Sequence, residues 1–161
     1  MSTMRNQVVL ITGAGIGLGK ELALLFAKEG ANVVACDRDS SKIETLKNEM
    51  QSFGDQVLLE TADVSIEQQV NSLVKQAVTS FGHVDILINN AAVFENNPIA
   101  DTTLATWNEQ IDNNATSVFL MTKACIPIMR KQKSGQIINL TSSLAKTGAN
   151  GFGAYSASKA A

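Results

Sequence analysis

Histidine, tyrosine and tryptophan occur once each among the 161 residues, as His83, Tyr155 and Trp107, and cysteine occurs only twice, as Cys36 and Cys125. One imidazole and two distant thiols cannot assemble a metal centre, so no metal site is expected. The cysteines form no Cys-x-x-Cys pair. One falls in a predicted strand and the other in a predicted helix, where they are expected as buried thiols in a reducing compartment. No apolar run reaches the length that spans a bilayer, and the start, Met1-Ser2-Thr3-Met4-Arg5-Asn6-Gln7, lacks the charged-then-apolar order of a leader. Neither a membrane nor export is expected, and the cytoplasm is the expected location. Excess positive charge is missing too: 13 Lys and Arg against 15 Asp and Glu give a formal net charge of −2. That balance argues against nucleic acid as a partner. The one basic cluster, Arg130, Lys131 and Lys133, stands at a predicted helix end before Gly135, where cations complement the helix dipole. His83, before the fourth predicted strand, is expected as a solvated residue.

A chain with 45% hydrophobic and 17% charged residues is long enough for one domain with a sizeable core. Short apolar runs alternate with longer segments of helical period, which predicts an α/β, doubly wound, Rossmann-type parallel sheet of about five strands with helices on both faces. The predicted strands cover 7–12, 32–36, 56–61, 84–89 and 136–140. The predicted helices cover 17–29, 41–53, 66–81 and 113–131, with a short helix around Trp107 and a last one beginning near Ala154. Leu22, Leu25 and Phe26 mark the expected apolar face of the first helix, which Gly30 stops. In the long helix Ala115, Val118, Phe119, Thr122, Ile126 and Met129 keep helical spacing, and Pro127 is expected to kink it or to start its last turns afresh. Residues 94–101, with Asn96, Asn97 and Pro98, read as a surface loop.

The first predicted strand runs directly into Thr12-Gly13-Ala14-Gly15-Ile16-Gly17-Leu18-Gly19 and then a helix, the context in which a glycine-rich turn cradles phosphate. Glycine is required where a side chain would block the approach of backbone to pyrophosphate. The spacing is Thr-Gly-x-x-x-Gly-x-Gly. Asp37 closes the second predicted strand, where a carboxylate accepts hydrogen bonds from adenosine ribose hydroxyls and repels a 2′-phosphate. NAD is therefore the preferred cofactor, while Arg38 beside it keeps NADP open.

Ser142, Tyr155 and Lys159 stand at the spacing Ser-x12-Tyr-x3-Lys. Reducing a carbonyl leaves an alkoxide that must be protonated, and a free tyrosine with pKa near ~10 is a poor donor at neutral pH. Bringing such a phenol toward ~7 takes about 4 kcal/mol, which one cation at ~4 Å in an effective dielectric of ~20 can supply. On a helix Tyr155 and Lys159 share a face, making Lys159 the natural cation. Ser142 follows the fifth predicted strand, at the edge where open α/β sheets bind ligands, and its hydroxyl can stabilise a developing oxyanion. Each part has a plainer reading: an exposed helix pair for Tyr155 and Lys159, a cap or turn for Ser142, a helix-entry residue for Asn114.

These motifs together resemble the short-chain dehydrogenase/reductase family over essentially the whole chain. Asn89-Asn90-Ala91-Ala92 looks like its Asn-Asn-Ala-Gly element, with Ala92 in place of glycine. The resemblance implies that Asn90 and Ala91 support the cofactor and that Val64, Tyr155 and Lys159 also contribute to its binding. It also implies that Asp63, in Ala62-Asp63-Val64, contacts the adenine, and that Asn114, two residues before Thr116, holds a water in a proton relay completed by Ser142, Tyr155 and Lys159. An NAD(P)-dependent oxidoreductase is implied, acting on 3-oxoacyl thioesters, steroids, sugars or polyols. The resemblance further implies a homodimer or homotetramer with the long helix and the last helix at its interface. Residues 1–161 are then expected to be a single dinucleotide-binding domain without the family's last strands and substrate lid. A non-catalytic dinucleotide-binding module is the alternative; a purely structural interaction domain leaves the glycine turn and Asp37 unexplained.

Overall fold

The structure is a computed structural model and describes residues 4–161. The reading of the amino terminus as free of a leader falls partly on residues 1–3, outside the described residues. Five parallel strands, β1 (Val8–Thr12), β2 (Asn32–Asp37), β3 (Val57–Thr61), β4 (Ile86–Asn89) and β5 (Gln136–Asn139), form one sheet in the order β3-β2-β1-β4-β5. The order reverses between β1 and β4, and ligands of such sheets bind outside the carboxyl ends of the strands at that reversal.

Strand side chains alternate between two cores, as the period of two requires. Val8, Leu10, Val34, Cys36 and Leu87 enter one, under helices α3 (Glu67–Phe81) and α5 (Ser117–Gln132). Val9, Ile11, Val33, Ala35, Ile86 and Ile88 enter the other, under α1 (Gly17–Lys28) and α2 (Ser40–Met50). The doubly wound architecture expected from the sequence is the one observed. Both cysteines are free and buried in the first core, and burial pushes each thiol up to about 12.

Several local expectations change. The buried stripe of α1 is Gly19, Ala23 and Ala27, while Leu25 is exposed; small residues bring this helix close to the sheet. The expected break before the long helix is absent: α4 (Leu104–Ile111) continues through a π-helical turn at Asp112–Thr116 into α5. That helix runs through Pro127 without interruption. Its buried face is Leu120, Met121, Cys125 and Met129, so most of the predicted stripe, Phe119 included, lies elsewhere on a helix that is apolar on two sides. β4 starts two residues late because the Gln132 amide occupies both backbone groups of Val84, at 3.2 and 3.0 Å. His83 is not simply solvated: its ring nitrogens lie 2.9 Å from the Phe81 carbonyl and 3.0 Å from the Asp85 carboxylate. The chain also forms short helices α6 (Leu144–Thr147) and α7 (Gly153–Ala160).

Candidate active site

At the sheet reversal, the exits of β1 and β4 are tied together. The Thr12 hydroxyl accepts from the backbone N–H of Asn90 and Ala91 at 3.1 and 3.0 Å, and the Asn90 amide donates back to the carbonyls of Thr12 and Gly13 at 3.0 and 2.9 Å. The chain leaves β1 at Gly13 with φ +64°, and a Cβ there would stand 2.6 Å from the Ala91 Cα. A Cβ on Gly19 would run into the Gly13 carbonyl and the Asn90 amide. These glycines are required by close backbone approach. Gly17, with φ +58°, has open space around it and is required by its conformation alone.

The resulting cleft, of about 280 Å³, is lined by Gly13, Ile16, Asp37, Asp63, Val64 and Asn90, all expected site residues, together with Ala91 and Arg38. The Asp37 carboxylate is fixed at its rim, accepting from Gly15 N and Asp39 N, each at 3.0 Å. A Cβ on Gly15 would meet that carboxylate at 2.8 Å. One Asp63 oxygen accepts from the Ser65 N–H and hydroxyl at 2.9 and 2.6 Å, shaping the turn after β3. Arg38 reaches across to the Asn113 side chain at 3.3 Å and toward Glu109 at 4.0 Å. A dinucleotide fits these residues. The amino end of α1 has no side-chain cap and no acidic residue in its first turn, so its N–H groups remain for an anion. The glycines leave the room that a pyrophosphate needs, and Asp37 supplies the ribose acceptor.

The other end of the site gathers around α7. The π-helical turn swings Asn114 inward, where it is 4% exposed, while its neighbour Asn113 faces the cleft. Asn114 accepts from Val93 N at 2.8 Å and donates to Val93 O at 2.8 Å and to the Ser158 hydroxyl at 2.9 Å. Ser158 in turn donates to the carbonyl of Tyr155 at 2.8 Å. With both amide hydrogens committed, the Asn114 side chain is a clamp between the β4 exit and α7. Lys159 donates to the carbonyl of Leu140 at 2.9 Å, and the Thr141 hydroxyl donates to the carbonyl of Lys159 at 2.9 Å, so α7 is also bound to the β5 exit. Burial lowers the Lys159 ammonium below its usual range. Only one of its three N–H donors is used by Leu140. The Ser142 oxygen accepts from Leu144 N at 3.2 Å, the turn role considered for it, and its own O–H proton stays available to a ligand. Tyr155 packs edge-on against Phe94 and Phe152, with ring centroids 6.2 and 6.3 Å away.

Sequence reasoning missed Lys42 and Asn113 in the cleft wall, the Val93 backbone, Ser158, and the two phenylalanines beside Tyr155. Helical spacing offers a signal for Ser158 alone, because it sits three residues after Tyr155 on the same helix.

A dehydrogenase of Thauera aromatica, (2S)-[(R)-hydroxy(phenyl)methyl]succinyl-CoA dehydrogenase subunit BbsD, is 38% identical over 98% of this chain and 63% of its own length. A 3-oxoacyl-[acyl-carrier-protein] reductase of Synechocystis is 37% identical over 99% of this chain and 65% of its length. The crystal structure of a 3-ketoacyl-(acyl-carrier-protein) reductase from Brucella melitensis, complexed with NADH, superimposes with a TM-score of 0.89 at 35% identity. It matches 97% of this chain and 65% of that one. The chain thus spans a little under two thirds of the length of these relatives. The family model for short chain dehydrogenases matches residues 7–161, and the chain belongs to that family.

Proposed function

We propose that the protein is an oxidoreductase that binds a nicotinamide dinucleotide, NAD in preference to NADP, and moves a hydride between it and a ketone or secondary alcohol. What supports this most is that one strand exit holds both halves of the site. Asn90 and Ala91 after β4 fasten the glycine turn through Thr12, and Val93, two residues on, fastens the Tyr155 helix through Asn114 and Ser158. When bound, the nicotinamide supplies the hydride with its electron pair, or takes them in the reverse direction. Tyr155 gives its phenolic proton to the carbonyl oxygen as the C–O double bond becomes single, and solvent restores that proton. Lys159, one helical turn on, supplies a cation on the same helix, and Ser142 donates its O–H to the same substrate oxygen.

The NAD preference rests on Asp37, whose carboxylate is held at the rim where a 2′-phosphate would meet it, and on Arg38, which is engaged across the cleft. Among the substrate classes, thioesters are favoured: the Thauera relative is named for a succinyl-CoA alcohol and the Synechocystis relative for a 3-oxoacyl carrier protein. Residues 1–161 are read as one dinucleotide-binding domain, supported by a single sheet with a core on each face. A homodimer or homotetramer is proposed on the exposed apolar side of α5, and a cytoplasmic location on the two free buried thiols. No described helix is long and apolar enough to cross a membrane.

The test is a Tyr155→Phe protein assayed with NADH against a panel of carbonyls. Loss of turnover with NADH binding retained supports the mechanism, and undiminished turnover removes it. NADH binding without turnover in the unmodified protein would favour the non-catalytic module instead.

A further inference from the structure

Beside Tyr155 two phenylalanines from distant segments converge, Phe94 from the loop after β4 and Phe152 from the residue preceding α7. The three rings form a triangle with centroids 6.2, 6.3 and 6.4 Å apart. Phe94 and Phe152 both stand edge-on to Tyr155, at 71° and 69°, and are tilted at 34° to each other. Phe94 is 72% exposed among the described residues, so one face of the cluster beside Tyr155 is open to a bound group.

The wall that carries Phe94 is held in place. Asn97 N donates to the Gly151 carbonyl at 2.8 Å, and the Asn96 side chain packs against Gly151 closely enough to exclude a Cβ there. Ile99 lies over Gly153, where a Cβ would stand 3.2 Å from its Cδ1. The loop after β4 and the turn before α7 are therefore fastened to each other, and the two phenylalanines are presented by a fixed frame. Such preorganisation lowers the cost of ordering a bound group.

We propose that Phe94 and Phe152 form an aryl subsite, and that the substrate is a ketone or secondary alcohol carrying an aromatic ring on, or one carbon from, its reacting carbon. This rests on the reading of Tyr155 as the proton donor, because the contact of both rings with the Tyr155 ring is what relates the subsite to the reacting bond. Aromatic pairs prefer edge-on or offset contact with centroids ~4.5–7 Å apart. A substrate ring on the free side of Phe94 meets that spacing and continues the edge-on pattern already present. A saturated ring of the same size gains area there and loses the quadrupolar match. Phe94 and Phe152 are specificity-determining residues in this account and take no part in the proton transfer.

The experiment titrates the protein, with and without NADH, with acetophenone and with cyclohexyl methyl ketone, a pair matched in shape apart from aromaticity. Binding is read by ligand-observed saturation-transfer NMR, turnover by NADH absorbance, and subunit state by light scattering. Acetophenone is expected to bind roughly tenfold more tightly, and Phe94→Leu, at an exposed position, is expected to bring the ratio near one without changing NADH affinity. Equal binding of the two ketones overturns the aryl subsite. So does a shift of Phe94→Leu to a smaller assembly with no change in ketone preference, since the ring would then cover a second copy of this chain. Aryl preference in binding without turnover of either ketone leaves the subsite standing and removes the oxidoreductase reading. Turnover of both ketones without preference does the reverse.

Discussion

The two ends of the site are built by different physics. At β1 every residue from Val8 to Thr12 is essentially inaccessible, and the turn beyond it is shaped by backbone contacts that leave no room for side chains. At β5 no residue is fully buried, and α7 is attached to it and to β4 by a few hydrogen bonds from Thr141, Lys159, Asn114 and Ser158. The dinucleotide end is a preformed cradle whose shape follows from packing. The proposed proton-transfer end, at the edge strand of the described sheet, is joined by polar anchors between segments far apart in sequence. Damage at the first end should therefore appear as lost binding, and damage at the second as lost chemistry or lost local order.

The largest separation of the two ends should come from Tyr155→Phe. Turnover is expected to fall by ~10²–10⁴, the usual worth of a positioned acid or base, while NADH affinity stays within about twofold. Stopped-flow turnover and a fluorescence titration check both halves. The converse comes from Gly19→Val, whose side chain would have to displace the Gly13 carbonyl and the Asn90 amide. Overpacking of this kind costs about 1–3 kcal/mol. Dinucleotide affinity should drop by ~10- to 100-fold, measured by the same titration, with thermal stability falling in parallel as the clamp between β1 and β4 loosens.

Asn114→Leu sharpens the contrast at the second end. It leaves Val93 N–H, Val93 C=O and the Ser158 hydroxyl without their partner in a buried setting, at about 1–3 kcal/mol for each unsatisfied group. Hydrogen exchange at residues of α7 should accelerate more than exchange in β1, and Asn113→Leu, at the cleft wall, should leave both unchanged. Equal acceleration at the two ends would show that they form one cooperative unit and that the distinction drawn between them is wrong.

How far the sequence disclosed these ends follows the same division. Strand–helix alternation, the glycine turn and the place of Asp37 at the end of β2 were legible because each is a local pattern with a local cause, whereas Asp63 entered only through the family resemblance. The Asn114 clamp was only half legible. Its position could be named, but the π-helical turn that aims it inward adds one residue to a helical turn and leaves no mark in a hydrophobic period. The stripe expected on α5 failed because the helix has two apolar sides, and periodicity cannot say which one meets the sheet. Ser158, Phe94 and Phe152 were silent because their meaning is a contact across 44 residues or more, or between a loop and a helix start.

A smaller effect concerns pH. Burial depresses the Lys159 ammonium below the 10.5 of a free lysine. Between the folded value and 10.5 the unfolded chain holds more protons, so stability rises with pH through that window. The gain is complete above 10.5 and gone once pH falls below the folded value. The stability difference between the protein and Lys159→Met should move in favour of the protein across this alkaline range, by denaturant titration at several pH values.

The smallest effect expected is that of Arg38→Ala. Its ion pair with Glu109 spans 4.0 Å between side chains that are each about half exposed, and pairs of that kind contribute ~0–1 kcal/mol. Melting temperature should hardly move. The informative quantity is the ratio of NADPH to NADH affinity. If Asp37 alone sets the preference, the substitution changes both affinities by less than about twofold and the ratio holds, whereas Asp37→Ser narrows it. If Arg38 leaves Asn113 and Glu109 to meet a 2′-phosphate, its removal weakens NADPH much more than NADH, and the dinucleotide end is then less rigid at its rim than at its glycine turn. Measuring the two substitutions side by side separates a preference built into a fixed carboxylate from one carried by a side chain free to swing.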